Sequence, residues 1–145
     1  MNIDLVNGFR QKLLDNISQA ILGKSDVIDL VIMAIICDGH ILVEDVPGTG
    51  KTVLAKSVAR SLNMQFSRVQ FTPDMLLSDV TGLSIYNQAS HEFECRAGPI
   101  LANIVLADEI NRATPKTQSA LLEAMEERQI TVDGRTHFLP DFSWS

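Results

Sequence analysis

The sequence contains little cysteine and no basic tract. Cys37 and Cys95 are its only cysteines and form no Cys-x-x-Cys pair, which excludes a disulfide framework and predicts two half-buried thiols in a reducing cytosol. Lys and Arg together number 12 against 18 Asp and Glu, so the net charge is −6. A nucleic-acid-binding surface is therefore not expected.

Long hydrophobic runs are absent as well. Val27–Cys37 is strongly apolar, but it is only 11 residues long and Asp29 interrupts it, so it is too short to span a bilayer. The N-terminus, Met1–Asp4, lacks the basic segment and the apolar segment of a signal peptide. We therefore expect a soluble, cytoplasmic protein that does not contact membranes.

Apolar residues recur at helical spacing in the first part of the chain. Leu5–Ile21 has an apolar residue at every fourth position, which predicts an amphipathic helix that Gly23 ends. Ser25 can cap a second helix that runs to about Cys37 and, being apolar nearly all round, is expected to be buried. The short apolar run Ile41–Val43 is typical of a buried strand.

Strand and helix signals alternate through the rest of the chain, and this order predicts an α/β fold with a parallel sheet. The expected elements are a helix over about 50–62, a strand within 64–71, a small hairpin over 84–86 and 92–94, a strand over 104–107, a helix starting at Thr114-Pro115 and a hairpin over 128–139 around Asp133-Gly134.

The strongest feature is Asp45–Thr52, a Gly-rich loop between a predicted strand and a predicted helix. Glycines let such a loop turn its N–H groups onto phosphate oxygens, and the helix N-terminus adds partial positive charge. Lys51 can reach the β- and γ-phosphates of a nucleotide, and the Thr52 hydroxyl can bind Mg²⁺. An ordinary Gly-rich turn is the alternative, since Asp45 stands where the standard pattern starts with glycine. The candidate ATP-binding residues here are Asp45, Val46, Pro47, Gly48, Thr49, Gly50, Lys51, Thr52 and Val53.

A second feature is the run Ile104–Glu109, in which four apolar residues precede two carboxylates. Parallel sheets gather their active groups at the carboxyl ends of strands, so these carboxylates and the Gly-rich loop are expected at one edge. Asp108 would hold Mg²⁺ through its water shell, and Glu109 would polarise the water that attacks the γ-phosphate. Because the guanine-reading motifs of GTPases are missing, adenine is the expected base.

Several longer runs resemble the MoxR family of AAA+ ATPases, and the match covers nearly the whole chain up to about Pro140. The resemblance rests on Leu106–Ala113, Pro115–Arg128, Thr131–Gly134, Asp74–Gly82, Tyr86–Gln88, Gly98-Pro99 and, as the Walker A loop, Glu44–Thr52.

The resemblance implies the three-layer αβα sandwich of P-loop NTPases, with ATP and Mg²⁺ bound. It makes Lys51 and Thr52 Walker A ligands, makes Asp108 and Glu109 Walker B residues, and places Ile21–Gly23, which includes Leu22, beside the adenine. Catalysis would then depend on Glu109 and Lys51. The resemblance further implies a chaperone-like ATPase that matures or activates protein complexes, forms hexameric rings and works with proteins that carry a von Willebrand factor A domain.

The end of the chain departs from the family pattern. After Pro140 the family continues into the sensor 1 strand, whereas this sequence ends at Ser145. Residues 1–145 are therefore expected to form the N-terminal part of an AAA+ core, truncated at the C-terminus, with an incomplete sheet and no helical lid. One alternative is a non-catalytic nucleotide-binding fragment that lacks sensor 1, the arginine finger and the lid. Another is a DNA-acting AAA+ protein, which the acidic charge disfavours.

Overall fold

The computed structural model describes residues 3–18, 25–43 and 50–140. These residues divide into two compact units, one that ends at Gln65 and one that begins at Phe66, and each is described by itself. No helix in the described ranges is long and apolar enough to cross a membrane.

The first unit is helical. It contains α1 (Ile3–Ser18), α2 (Ser25–Ile36) and α3 (Lys51–Ser61), and α1 packs against both of the others. The fourfold spacing predicted for α1 is confirmed, because Leu13 and Ile17 are buried on one of its faces. The end that Gly23 was expected to impose lies outside the described residues.

An ion pair joins the exposed sides of α1 and α2. Arg10 donates from Nε and Nη2 to the two carboxylate oxygens of Asp29, both at 2.8 Å. This bidentate hydrogen bond, together with the attraction between the two charges, lowers the pKa of Asp29 below its ordinary value of 3.8.

The prediction that α2 is buried all round is wrong. Ile28 and Ile32 are 2% exposed, whereas Leu30 and Met33 are each 57% exposed. A helix that packs through one face buries residues three or four apart and leaves those on the other face in contact with solvent. Of the two cysteines, both of which are free thiols, Cys95 is half-buried as predicted, but Cys37, just beyond α2, is exposed.

The predicted buried strand at 41–43 is also wrong. These residues adopt no regular structure, and Leu42 is 80% exposed. A strand is held by backbone hydrogen bonds to a neighbouring strand, and none of the strands in the described part of the chain pairs with 41–43.

The second unit combines a parallel strand pair with two hairpins and two helices. Its elements are β1 (Phe66–Gln70), α4 (Leu77–Thr81), β2 (Gly82–Asn87), β3 (Glu92–Ala97), β4 (Ile104–Asp108), α5 (Pro115–Glu127), β5 (Gln129–Val132) and β6 (Arg135–Phe138), with short 3-10 turns at 99–101 and 110–112.

Strands β1 and β4 pair in parallel, which confirms the predicted parallel arrangement. The register runs from Phe66 opposite Ile104 to Gln70 opposite Asp108, and Phe71 N–H donates to the Asp108 carbonyl at 2.9 Å. Chain segments about forty residues apart in sequence therefore end at the same edge of this pair. The core beneath them consists of Val69, Phe71, Val80, Ile100, Ala113, Leu121, Ala124, Ile130 and Val132.

Local signals place the later elements where the sequence predicted them. Thr114 caps α5, because its Oγ1 accepts a hydrogen bond from the Thr117 N–H at 3.3 Å. The β5–β6 hairpin turns at Asp133 and Gly134, with φ of 48° and 79°, as the tight primed turn requires.

The hairpin of β2 and β3 is longer than the sequence suggested and is closed at its base by two glycines. Gly82 opens β2 with a φ of +96°, and Gly98 follows β3. A Cβ on Gly98 would lie 2.3 Å from the Val80 carbonyl oxygen and 2.4 Å from the Gly82 nitrogen. Two backbone segments therefore meet here at a distance that only glycine permits.

Candidate functional site

The described part of the Gly-rich loop is its junction with α3. Gly50 adopts the left-handed conformation, with φ of 81° and ψ of 13°, and no side chain among the described residues caps the helix that follows. Lys51 and Thr52 form the first turn of α3 and are half-buried, while Val53 is 49% exposed. A glycine is favoured at the junction because other residues adopt this conformation only with strain.

Other predicted ligands lie outside the described residues. These are Asp45, Val46, Pro47, Gly48 and Thr49 of the loop, and Leu22 and Gly23 of the adenine segment. Their roles stay predictions.

The two carboxylates at the end of β4 differ in their backbone setting. Asp108 is the last residue of the strand and is half-buried, whereas Glu109 adopts a left-handed conformation, with φ of 55° and ψ of 39°. That conformation ends the strand and starts the 3-10 turn at 110–112. Five other described residues that are not glycine share a positive φ, so this conformation by itself does not mark a functional site.

Each carboxylate is paired with an arginine. Arg68 Nη2 donates to Asp108 Oδ2 at 2.6 Å, and Arg112 Nη1 donates to Glu109 Oε2 at 2.9 Å. Arg68 comes from β1 and Arg112 from the turn just after Glu109. Both pairs are partly solvent-exposed, so each contributes little to folding stability.

These two arginines were not predicted from the sequence. The Glu109–Arg112 pair spans three positions, a spacing that brings side chains together on a helical turn, but the 3-10 turn at 110–112 was not predicted from the sequence. The Arg68–Asp108 pair depends on the register of β1 against β4, which only the fold supplies.

The site residues thus fall into two groups. Gly50, Lys51 and Thr52 lie together at the start of α3 in the first unit, and Asp108 and Glu109 lie together at the end of β4 in the second.

The donor types fit Mg²⁺, which prefers oxygen ligands and is usually held by one or two carboxylates together with substrate phosphates. Asp108 supplies such a carboxylate, and no group of three or more His, Cys, Asp or Glu that could hold a metal ion occurs among the described residues. At this site Arg68 already donates a hydrogen bond to Asp108 Oδ2.

Comparison with known proteins places the chain in a family of ATPases. Residues 40–144 match the family described as ATPases associated with various cellular activities. The chain is 57% identical to the uncharacterized protein YeaC of Bacillus subtilis, over 90% of this chain and 41% of that protein. It is 42% identical to chaperone MoxR1 of Mycobacterium tuberculosis, over 90% of this chain and 34% of that protein.

A solved structure agrees with these sequence matches. The crystal structure of a candidate ATPase from Cytophaga hutchinsonii superimposes with a TM-score of 0.81 at 40% identity, covering 93% of this chain and 42% of that one. The predicted fold class, an α/β P-loop fold, is confirmed. The chain spans less than half the length of each of these relatives.

Proposed function

The chain belongs to the family of ATPases associated with various cellular activities, where its relatives include MoxR proteins, and on that premise we propose that it binds Mg-ATP through residues 45–52 and hydrolyses it. The comparisons confirm the expected resemblance to MoxR proteins. We propose in addition that the chain binds the nucleotide and the metal and that the residues named below carry out the reaction.

One observation carries the proposal. Strand β4 ends at Asp108 and Glu109 beside the end of its parallel neighbour β1. The carboxyl ends of parallel strands are where α/β folds bind ligands, and two acids in a row there supply one group for a metal and one for a proton. Lys51 and Thr52 at the start of α3 supply the residue types that phosphate and Mg²⁺ require.

Each residue has a distinct role in the proposed reaction. Lys51 neutralises charge on the β- and γ-phosphates. Gly50, in its left-handed conformation, joins the phosphate-binding loop to α3. Thr52 and Asp108 would hold Mg²⁺, which when bound screens the phosphate charge. Glu109 accepts a proton from the attacking water. Leu22 and Gly23 would contact the adenine.

The biological role that we propose is chaperone-like maturation or activation of protein complexes, carried out in the cytoplasm. The name of MoxR1 as a chaperone supports this role. We further propose that residues 1–145 supply the N-terminal part of the AAA+ core, that the working form is a hexameric ring, and that a protein with a von Willebrand factor A domain is a partner. Neither nucleic acid nor membrane is part of the proposal.

Nucleotide binding without hydrolysis is a second candidate function. It is favoured by the hydrogen bond from Arg112 to Glu109 Oε2, which leaves only Oε1 of this carboxylate open to the attacking water. The two candidates share the same binding site and differ only in turnover.

Equilibrium binding of a fluorescent ATP analogue, with and without Mg²⁺, tests the shared part. We expect saturable, Mg²⁺-dependent binding that is lost in Lys51→Ala. The matched control is Lys56→Ala, which removes an exposed lysine from the same helix and should bind as the unaltered chain does. Equal loss in both variants, or no binding at all, would contradict the proposal.

A further inference from the structure

The end of β4 contains an ion pair that the proposed reaction does not use. Arg68 lies on β1 opposite Leu106, and its neighbour along the same face, Gln70, lies opposite Asp108. The Arg68 side chain therefore reaches diagonally across the strand pair to Asp108, where Nη2 and Oδ2 are 2.6 Å apart. Both groups are charged, and hydrogen bonds between charged groups are shorter than those between neutral ones.

The same carboxylate is the one expected to hold Mg²⁺. A carboxylate has about four lone-pair positions on its two oxygens, and the Arg68 guanidinium occupies one of them, on Oδ2. Two cations beside one carboxylate also repel each other. Arg68 and the metal therefore oppose each other at Asp108.

We propose that Arg68 is a positioning residue that holds Asp108 while no metal is bound and is displaced when Mg²⁺ enters with ATP. In this arrangement Arg68 sets the Mg²⁺ concentration at which nucleotide binds. The inference rests on the proposed function, because it requires that Asp108 serves the metal.

The exposure of the pair fits a reversible contact. The side chains of Arg68 and Asp108 are 42% and 34% exposed. Water screens an ion pair at such exposure and keeps it weak enough for a divalent cation to displace. The neighbouring pair, Arg112 with Glu109, lies within one turn of chain and leaves Asp108 untouched.

The test is a Mg²⁺ titration of the 145-residue chain at a fixed concentration of a fluorescent ATP analogue. Arg68→Gln removes the competing charge, so half-saturation should occur at about two- to fivefold lower Mg²⁺, the range that an exposed ion pair supplies. Arg68→Lys keeps the charge but loses the planar donor, so its half-saturating Mg²⁺ concentration should lie between those of Arg68→Gln and the unaltered chain. The control is Arg96→Gln, an exposed arginine on β3, which should match the unaltered chain.

The outcomes are distinct for the inference and for the proposed function. Suppose that the unaltered chain binds the analogue and Lys51→Ala does not, but that Arg68→Gln needs the same or a higher Mg²⁺ concentration. The inference is then overturned and the proposed function stands. If the unaltered chain binds no nucleotide, both are overturned. Thermal unfolding of each variant, which should be nearly unchanged for an exposed pair, shows that the shift is not caused by loss of folding.

Discussion

Asp133 in the turn of the β5–β6 hairpin accepts a hydrogen bond from the backbone N–H of Ser84 on β2, with Oδ2 and N 3.1 Å apart. The two residues are 49 positions apart in the chain, and β2 packs against β5 at the same place. One carboxylate therefore joins the two hairpins of the second unit through a main-chain group.

Removing the Asp133 carboxylate is expected to loosen this contact. Asp133→Gly keeps the positive φ of the turn, which is 48° here, but removes the acceptor, so the Ser84 amide should exchange with solvent faster, by a factor that corresponds to about 1 kcal/mol. Asp133→Asn retains both the turn preference and an oxygen acceptor and should behave nearly as the unaltered chain does. Amide hydrogen exchange measured by NMR checks this; equal exchange in all three proteins would contradict it.

Replacing Glu109 with glutamine is expected to separate binding from turnover. The amide has nearly the same size but cannot take a proton from water, so Mg-ATP should still bind while phosphate release falls by about a hundredfold or more. Phosphate release and analogue binding are measured on the same samples. Glu123→Gln, which changes an exposed glutamate on α5, is the control. Undiminished phosphate release from Glu109→Gln would remove Glu109 from its proposed role.

A methyl group at Gly98 is expected to destabilise the second unit. The added Cβ would overlap the Val80 carbonyl oxygen at 2.3 Å, and because the obstacle is backbone it cannot rotate away. Gly98→Ala should cost about 3 kcal/mol of unfolding free energy. Gly8→Ala should instead raise the free energy of unfolding, by up to about 1 kcal/mol. Gly8 lies within α1, and nothing lies within 4 Å of its Cβ position. Urea unfolding followed by circular dichroism measures both; a neutral Gly98→Ala would show that the backbone can separate there.

Acid is expected to remove the contribution of the pair between Arg10 and Asp29. The hydrogen bond from Arg10 lowers the folded-state pKa of Asp29 below its ordinary value of 3.8, so the stabilisation is complete above that pH and is lost as the pH falls below it. Asp29→Asn should therefore unfold more easily than the unaltered chain at neutral pH, and the difference should shrink below pH 3.8.

The partner variant provides the check on this pH dependence. Arg10→Gln should reproduce the effect of Asp29→Asn, and combining the two should add nothing further. Thermal unfolding midpoints over a pH series measure all three variants. Added salt should reduce the difference at neutral pH, since both side chains are in contact with solvent. A difference that persists unchanged into acid would assign the effect to something other than the ion pair.

Local chemistry explains which parts of the fold could be predicted. The turn at Asp133-Gly134 and the start of α5 at Thr114-Pro115 are encoded by adjacent residues, and both are confirmed. The run Ile41–Val43 has the composition of a buried strand, but a strand forms only with a partner, and composition does not report the partner.

The same distinction, between what adjacent residues encode and what depends on a distant partner, applies to the candidate site. The carboxylates of Asp108 and Glu109 could be predicted because they follow an apolar run directly. The position of Arg68 beside Asp108 could not, since 40 residues separate the two in sequence and their contact depends on how β1 and β4 align.

The meeting of Gly82 and Gly98 has a practical consequence for protein engineering. The base of the β2–β3 hairpin is held by backbone against backbone at these two glycines, and the strands add contacts of their own, such as Cys95 against the core. The segment 88–91 at its tip is exposed throughout. We therefore expect the tip to accept inserted peptides of other sequence and length, provided that both glycines and the paired strands are retained.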